Sequence, residues 1–317
     1  MQIINKLLSL KKVYIFFISF LLFLIIFSTT YLKANTFRVS NIEISSPFEL
    51  NFKKNRVIDE GFSVSFSNLL SMLTTTGDKN KIKNIKIKEI KSMIDTFTIS
   101  YERFINNEYF AKLETTFNKK KILNFLERKN VFPSMPVRNK VLLVPILIDL
   151  EADSIFLFEK NIFYKKWNNE KKNYQLLEYL LPSEDLEDLK KIQEISNDIE
   201  NHDFINLIKK YELKDYIILT IYKDKHEFKI LSKINLNNSL RVNNQKYTNI
   251  NLENKEDFQK ILNNLKITYE DYWKKSNEIN TSIKFPLTIS ISSKNYIKIT
   301  FSNIEIIIPK VLFIIKI

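Results

Sequence analysis

Three carboxylates are the first candidates for chemistry. Asp149, Glu151 and Asp153 alternate along the chain. On a β-strand alternate residues share a face, so the trio could hold a hard divalent cation through oxygen. A divalent-metal-dependent hydrolase using Asp149, Glu151, Asp153 and a histidine is therefore the enzymatic alternative. No glycine turn and no downstream bidentate glutamate accompany the three, and carboxylates solvated at a strand end account for the pattern better. His202 and His226 are the only histidines. His202-Asp203 falls at an expected helix start and His226-Glu227 beside an expected turn, so an exposed surface position explains each.

Other constellations have similarly plain explanations. The acids Glu184, Asp185, Glu187 and Asp188 suit the first turn of a helix capped by Ser183, because acids favour the positive end of the helix dipole. Trp167 follows Lys165 and Lys166, a grouping that could meet a base or a lipid headgroup. An amphipathic tryptophan at a loop or helix edge explains it more simply.

Composition removes whole classes of site. Gly61 and Gly77 are the only glycines. Phosphate-binding loops, dinucleotide fingerprints and serine nucleophile elbows need several glycines close together, where the backbone turns sharply or approaches a ligand. Ser63 and Ser65, near Gly61, are expected on a helix surface. Cysteine is absent, which excludes disulfides, thiolate metal sites and a cysteine nucleophile. The net charge is +13, of which Lys6, Lys11, Lys12 and Lys33 supply four. The rest is spread through mixed-sign stretches, as on a solvated lysine-rich surface. No catalytic, cofactor-binding or metal-ligating residue is assigned, no cofactor is expected, and no nucleic-acid partner.

Elements positioning these residues begin with a targeting segment. Residues 1–12 are short and basic, and Val13 to Phe27 are apolar apart from Ser19. Ala34 offers a small residue at a cleavage position. Val13 to Leu32 also matches the ~20 residues that span a bilayer. The lysines hold the N-terminus inside, so the remainder of the chain is translocated. Residues 1–34 are thus a signal peptide or a single-pass signal anchor. The chain contacts the membrane through this helix and works on the periplasmic side of the inner membrane; cleavage would leave it soluble there.

An α+β fold is expected beyond it. Residues 37–130 form a module in the order strand, helix, helix, strand, strand, helix. Its first helix is capped by Asn55, carries Ile58, Phe62, Phe66, Leu69 and Leu73 inward, and stops at Gly77. Asn106-Asn107 joins the hairpin strands, and Asn118 caps the last helix. Residues 131–139, with Pro133 and Pro136, are the linker. Residues 140–280 are an α/β layered module. Its elements are the apolar strand Val141–Leu150, buried on both faces, a strand at Tyr174–Leu181, a helix at Phe204–Tyr211, strands at Tyr216–Tyr222 and Phe228–Ile234, and an amphipathic helix at Glu253–Glu278. Residues 283–317 are strand-rich with no helix to cover them, and are expected to be an incomplete third module.

Several of these segments, in this order, resemble a bacterial family known only as domain of unknown function 2066. They are Phe37-Arg-Val-Ser-Asn-Ile-Glu-Ile44, the Asn55–Leu73 helix, Val141-Leu-Leu-Val-Pro-Ile-Leu-Ile-Asp149, Leu180-Leu-Pro-Ser-Glu-Asp-Leu-Glu-Asp188 and Tyr216-Ile-Ile-Leu219. The resemblance spans about Phe37 to Ile291. It implies an envelope location and no established activity, and a further α/β segment after the last strands. More loosely, the first module's element order looks like the polypeptide-transport-associated domains of outer-membrane assembly proteins. The expected function is non-catalytic: a protein–protein interaction or assembly module with an envelope protein as partner. A binder of anionic lipid or glycan is the other non-enzymatic alternative. An exposed apolar strand edge would favour the interaction module.

Overall fold

A computed structural model describes residues 36–195, 198–225, 227–252 and 254–279, and the backbone of three strands between 288 and 309. The fold is α+β, and the described chain divides into two compact units. The first holds residues 36–72, 76–131 and 171–175; the second holds 73–75, 132–170 and the residues from 176 onward. The expected targeting helix and His226 lie outside the described residues. Among the described residues no helix is long and apolar enough to cross a membrane.

Strand β1 (Thr36–Pro47) opens the first unit. Helix α1 (Lys54–Leu73), a 3-10 segment (Thr76–Ile82) and α2 (Ile87–Met93) come next. Then come β2 (Ile94–Ile105), β3 (Glu108–Asn118) and α3 (Lys119–Arg128). The three strands form an antiparallel sheet in the order β1-β3-β2. Strict alternation on β3 buries Tyr109, Ala111, Leu113, Thr115 and Phe117, the period-2 signature of a half-buried strand. Val57, Phe62, Phe66 and Leu69 of α1 are buried in the same unit, and Phe66 meets Phe117 and Phe125 at ring distances of 5.9 and 5.7 Å. Gly61 permits this close packing. A Cβ there would lie 3.0 Å from Leu113 Cδ1 and 3.4 Å from Ile44.

The hairpin turn is where the dipeptide places it. Asn106 and Asn107 both have positive φ, 49° and 58°, as a two-residue I′ turn demands. Asn118 caps α3 by accepting from Lys121 N at 3.0 Å. Three local expectations are corrected. Helix α1 begins at Lys54, so Asn55 sits within its first turn. It ends at Leu73, and Gly77 lies in the 3-10 segment without a left-handed φ. Ser65 is fully buried, not on the helix surface: its hydroxyl donates to Gly61 O at 2.8 Å and accepts from Thr115 at 3.1 Å.

The second unit is built on a mixed sheet. Its strands are β4 (Asn139–Asp149), β5 (Ser154–Phe156), β6 (Leu177–Leu180), β7 (Tyr216–Asp224), β8 (Glu227–Leu236) and β9 (Ser239–Thr248). The order is β5-β4-β7-β8-β9, with β6 also on β4. Strand β4 runs parallel to β6 and β7, while β7, β8 and β9 form an antiparallel meander. Helices cover both faces. On one, Leu142, Val144, Ile146 and Ile148 of β4 pack with Ile192 of α5 (Leu186–Glu194) and Leu207 and Ile208 of α6 (Ile205–Lys209). On the other lie α4 (Ile162–Lys166) and α7 (Lys255–Ser276). There Phe163 meets Phe258 at 5.1 Å and the Tyr269 hydroxyl is 2.7 Å from that of Ser232 on β8. Double coverage explains the continuous apolar run of β4.

Strands β10 (Thr288–Ser290), β11 (Tyr296–Phe301) and β12 (Ile304–Pro309) make a separate antiparallel sheet.

Candidate functional site

The carboxylate trio does not share a strand face. Strand β4 ends at Asp149, and Glu151 and Asp153 lie in the turn beyond it, where Asp153 takes a φ of 45°. Asp149 pairs in register with Lys223 at the end of β7. Its Oδ2 lies 2.7 Å from Lys223 Nζ, and its Oδ1 accepts the amides of Glu151 and Ala152 at 3.2 Å each. Both oxygens are engaged in tying two parallel strands and a turn together. Among the described residues, no three His, Cys, Asp or Glu side chains are grouped as a metal ion requires.

Lys223 beside Asp149 holds its carboxyl below the usual range, with further help from the two amides and against the cost of burial. For a lowered pKa the stability contribution is complete above the unfolded value of ~3.9 and fades as pH falls from there through the lower folded value. Asp149→Asn is expected to cost about 1–2 kcal/mol at pH 7. In thermal melts the gap between wild type and variant should close below about pH 4. A gap that widens with acid would contradict this assignment.

Other candidate residues take structural places. The cap of α5 is Asp185, not Ser183: it accepts from the amides of Glu187 and Asp188 at 2.8 and 3.4 Å. Lys210 Nζ bridges Asp185 and Asp188 at 3.0 and 2.7 Å. That bridge lowers the Asp185 pKa and raises that of Lys210. His202 sits in the turn before α6, edge-on to Phe204 at 5.0 Å. Trp167 is fully buried, stacked on Tyr269 at 6.1 Å and edge-on to Tyr179 at 5.3 Å. It belongs to the core and offers no face to a base or a headgroup.

Two features of the second unit remain open to solvent. A cavity of about 970 Å³ lies at the carboxyl end of β4 and β7, between the β5 segment and α5. The chain runs from β4 to β6 on one side of β4 and returns to β7 on the other, so this is a topological switch point, where open α/β sheets characteristically bind ligands. The other feature is the outer edge of β9. It pairs with β8 over its full length without a register shift, and nothing among the described residues pairs with its other side. Leu240 and Val242 on it are 65% and 62% exposed. The edges of the first unit differ, since β1 is interrupted once and β2 twice by register shifts, which blunt an edge against pairing. In that unit Phe48, Phe52, Phe104 and Tyr109 form a ring cluster with Phe48 and Phe104 about half exposed.

No known protein-family model matches this chain, and no curated protein matches it.

Proposed function

We propose that the chain is a non-catalytic interaction module of the bacterial envelope. Residues 1–34 hold it to, or export it across, the inner membrane, and it receives an extended segment of an envelope protein on the free edge of β9. The observation that carries this reading is that edge: a ten-residue strand, unbulged, with exposed Leu240 and Val242. Long regular edges are templates for strand addition, in which main-chain hydrogen bonds supply affinity and alternate side chains supply selectivity. The basic residues before Val13 support the placement, because they keep the N-terminus inside.

A photo-crosslinking residue at Asn244, in cells, tests it. A discrete adduct is expected, and it should disappear when Leu240 and Val242 are both replaced by lysine, a change that blunts the edge. Melting should be nearly unchanged, since both side chains are already in solvent. Failure to obtain an adduct from any outward position of β9, or an adduct indifferent to the lysines, would sink the proposal.

A further inference from the structure

We propose that the cavity at the carboxyl end of β4 and β7 binds a small organic cation with an apolar body. Its lining includes the apolar and aromatic side chains of Phe156, Phe158, Leu186, Leu189 and Tyr222 beside charged ones. At about 970 Å³ it lies within the ~300–1,000 Å³ usual for small-molecule pockets and has room for an organic ligand.

Charge selects the cation. The acids Asp153, Glu159, Glu184 and Asp185 line the cavity against one base, Lys160. Asp185 is tied to Lys210 and Glu159 faces Lys165 at 3.6 Å. Asp153 and Glu184 have no ion-pair partner among the described residues. A hollow whose lining holds apolar and aromatic side chains and two carboxylates without an ion-pair partner among the described residues favours a positive group on a hydrocarbon body and disfavours an anion. A bare metal ion is the poorer fit, because among the described residues these acids form no group of three that could hold one.

Phe158 adds a feature independent of charge. Its φ is 51°, a left-handed conformation that costs a bulky residue about 1–2 kcal/mol. The backbone is fixed there by Asn161 N, which donates to Phe158 O at 2.9 Å. Its ring is held edge-on to Tyr164 at 5.8 Å. The fold thus places an aromatic ring and carboxylates in the lining of one cavity, the combination that recognises ammonium groups.

The full-length protein in detergent should be titrated calorimetrically with phenethyltrimethylammonium, and with 3-phenylpropionate as its anionic counterpart. Saturable binding of the cation is expected, with none of the carboxylate. The double variant Asp153→Asn/Glu184→Gln should weaken the cation by about tenfold or more, equivalent to about 1.4 kcal/mol. Phe158→Gly removes the ring and relieves the left-handed strain, but also removes packing against the core and Tyr164, so the variant is first checked by its melt. Phe158→Leu, which keeps an apolar side chain there, should likewise lose affinity for the cation. Absence of saturable cation binding overturns the proposal. So does equal binding of the carboxylate, or binding unchanged in these variants. These outcomes are separate from the β9 crosslink, which involves no cavity residue.

Discussion

Replacing Glu270 by alanine is expected to cost about 3–4 kcal/mol, because it orphans two buried amides at about 1–3 kcal/mol each. The carboxylate is almost fully buried on α7 and accepts from Leu176 N at 2.9 Å and Leu177 N at 2.8 Å. Those amides open β6, and both residues are buried, so water cannot take over. The transition of the second unit should fall by roughly 10 °C. Glu270→Gln should be far milder, since its amide oxygen can still accept and the buried charge is gone. Burial pushes the Glu270 carboxyl up, opposed by the two amides and Lys274. A raised pKa means that the folded state keeps its proton to higher pH than the unfolded chain. Relative to Glu270→Gln, wild type should therefore lose stability as pH rises from the unfolded value of ~4.3 through the folded one, then level off. Melts of the three proteins from acid to neutral pH test both parts. Equal stability of the alanine and glutamine variants at pH 7 would show that the amides do not depend on this acceptor.

Glu270 also marks where sequence reasoning stops. The features legible in the chain are those whose cause is local. Asn106-Asn107 makes its turn because both residues tolerate positive φ, and Asn118 caps because its side chain reaches an amide three residues on. The apolar run of β4 needs only its own composition to be read as buried on both faces. The misplaced expectations depend on neighbours distant in sequence. Ser65 is polar on a helix, which suggests a surface, yet its hydroxyl is satisfied within the core by Gly61 and Thr115. Trp167 looks amphipathic beside two lysines, but Tyr269 and Tyr179 enclose it. Glu270 carries no expectation at all; it stands four residues from Lys266 and from Lys274. One signal is available: Lys266 and Glu270 fall within the stripe of Leu262, Leu265, Tyr269 and Trp273, and all of these are buried. The carboxylate trio fails for the opposite reason. Strand alternation stops at Asp149, where a turn begins because Asp149 itself binds the amides of Glu151 and Ala152.

The free β9 edge and the cavity are likewise products of pairing order. No local motif announces that β9 ends the sheet or that β6 and β7 flank β4 on opposite sides. These two features carry the functional proposals, so the sequence could suggest an interaction module without locating its surface.

Asn161→Ala is expected to be nearly as damaging as the loss of Glu270, through a proline in an unusual place. Pro145 sits within β4, an interior strand, where a missing N–H would ordinarily break a ladder bond. Here β6 pairs β4 only over Asn139–Leu142 and β5 only over Leu147–Asp149, leaving a gap opposite Pro145. A residue's N and C=O point to the same side of a strand, and the Pro145 carbonyl points into that gap, where it accepts from Asn161 Nδ2 at 3.1 Å. The proline nitrogen therefore faces the gap too, and no ladder bond is lost. Asn161 is fully buried and satisfies its remaining groups as well, donating to Phe156 O at 3.3 Å and accepting from Phe163 N at 2.9 Å at the start of α4. Alanine would orphan a buried carbonyl and a helix amide together, a loss of about 3 kcal/mol. Asn161→Asp separates the two roles. Aspartate caps a helix as well as asparagine does, so a merely capping residue would tolerate it. Here it would turn a donor into a buried charge facing two carbonyls, and the melting temperature should fall at neutral pH at least as far as with alanine. An aspartate variant as stable as wild type would mean that the gap beside Pro145 is filled by something other than the Asn161 amide.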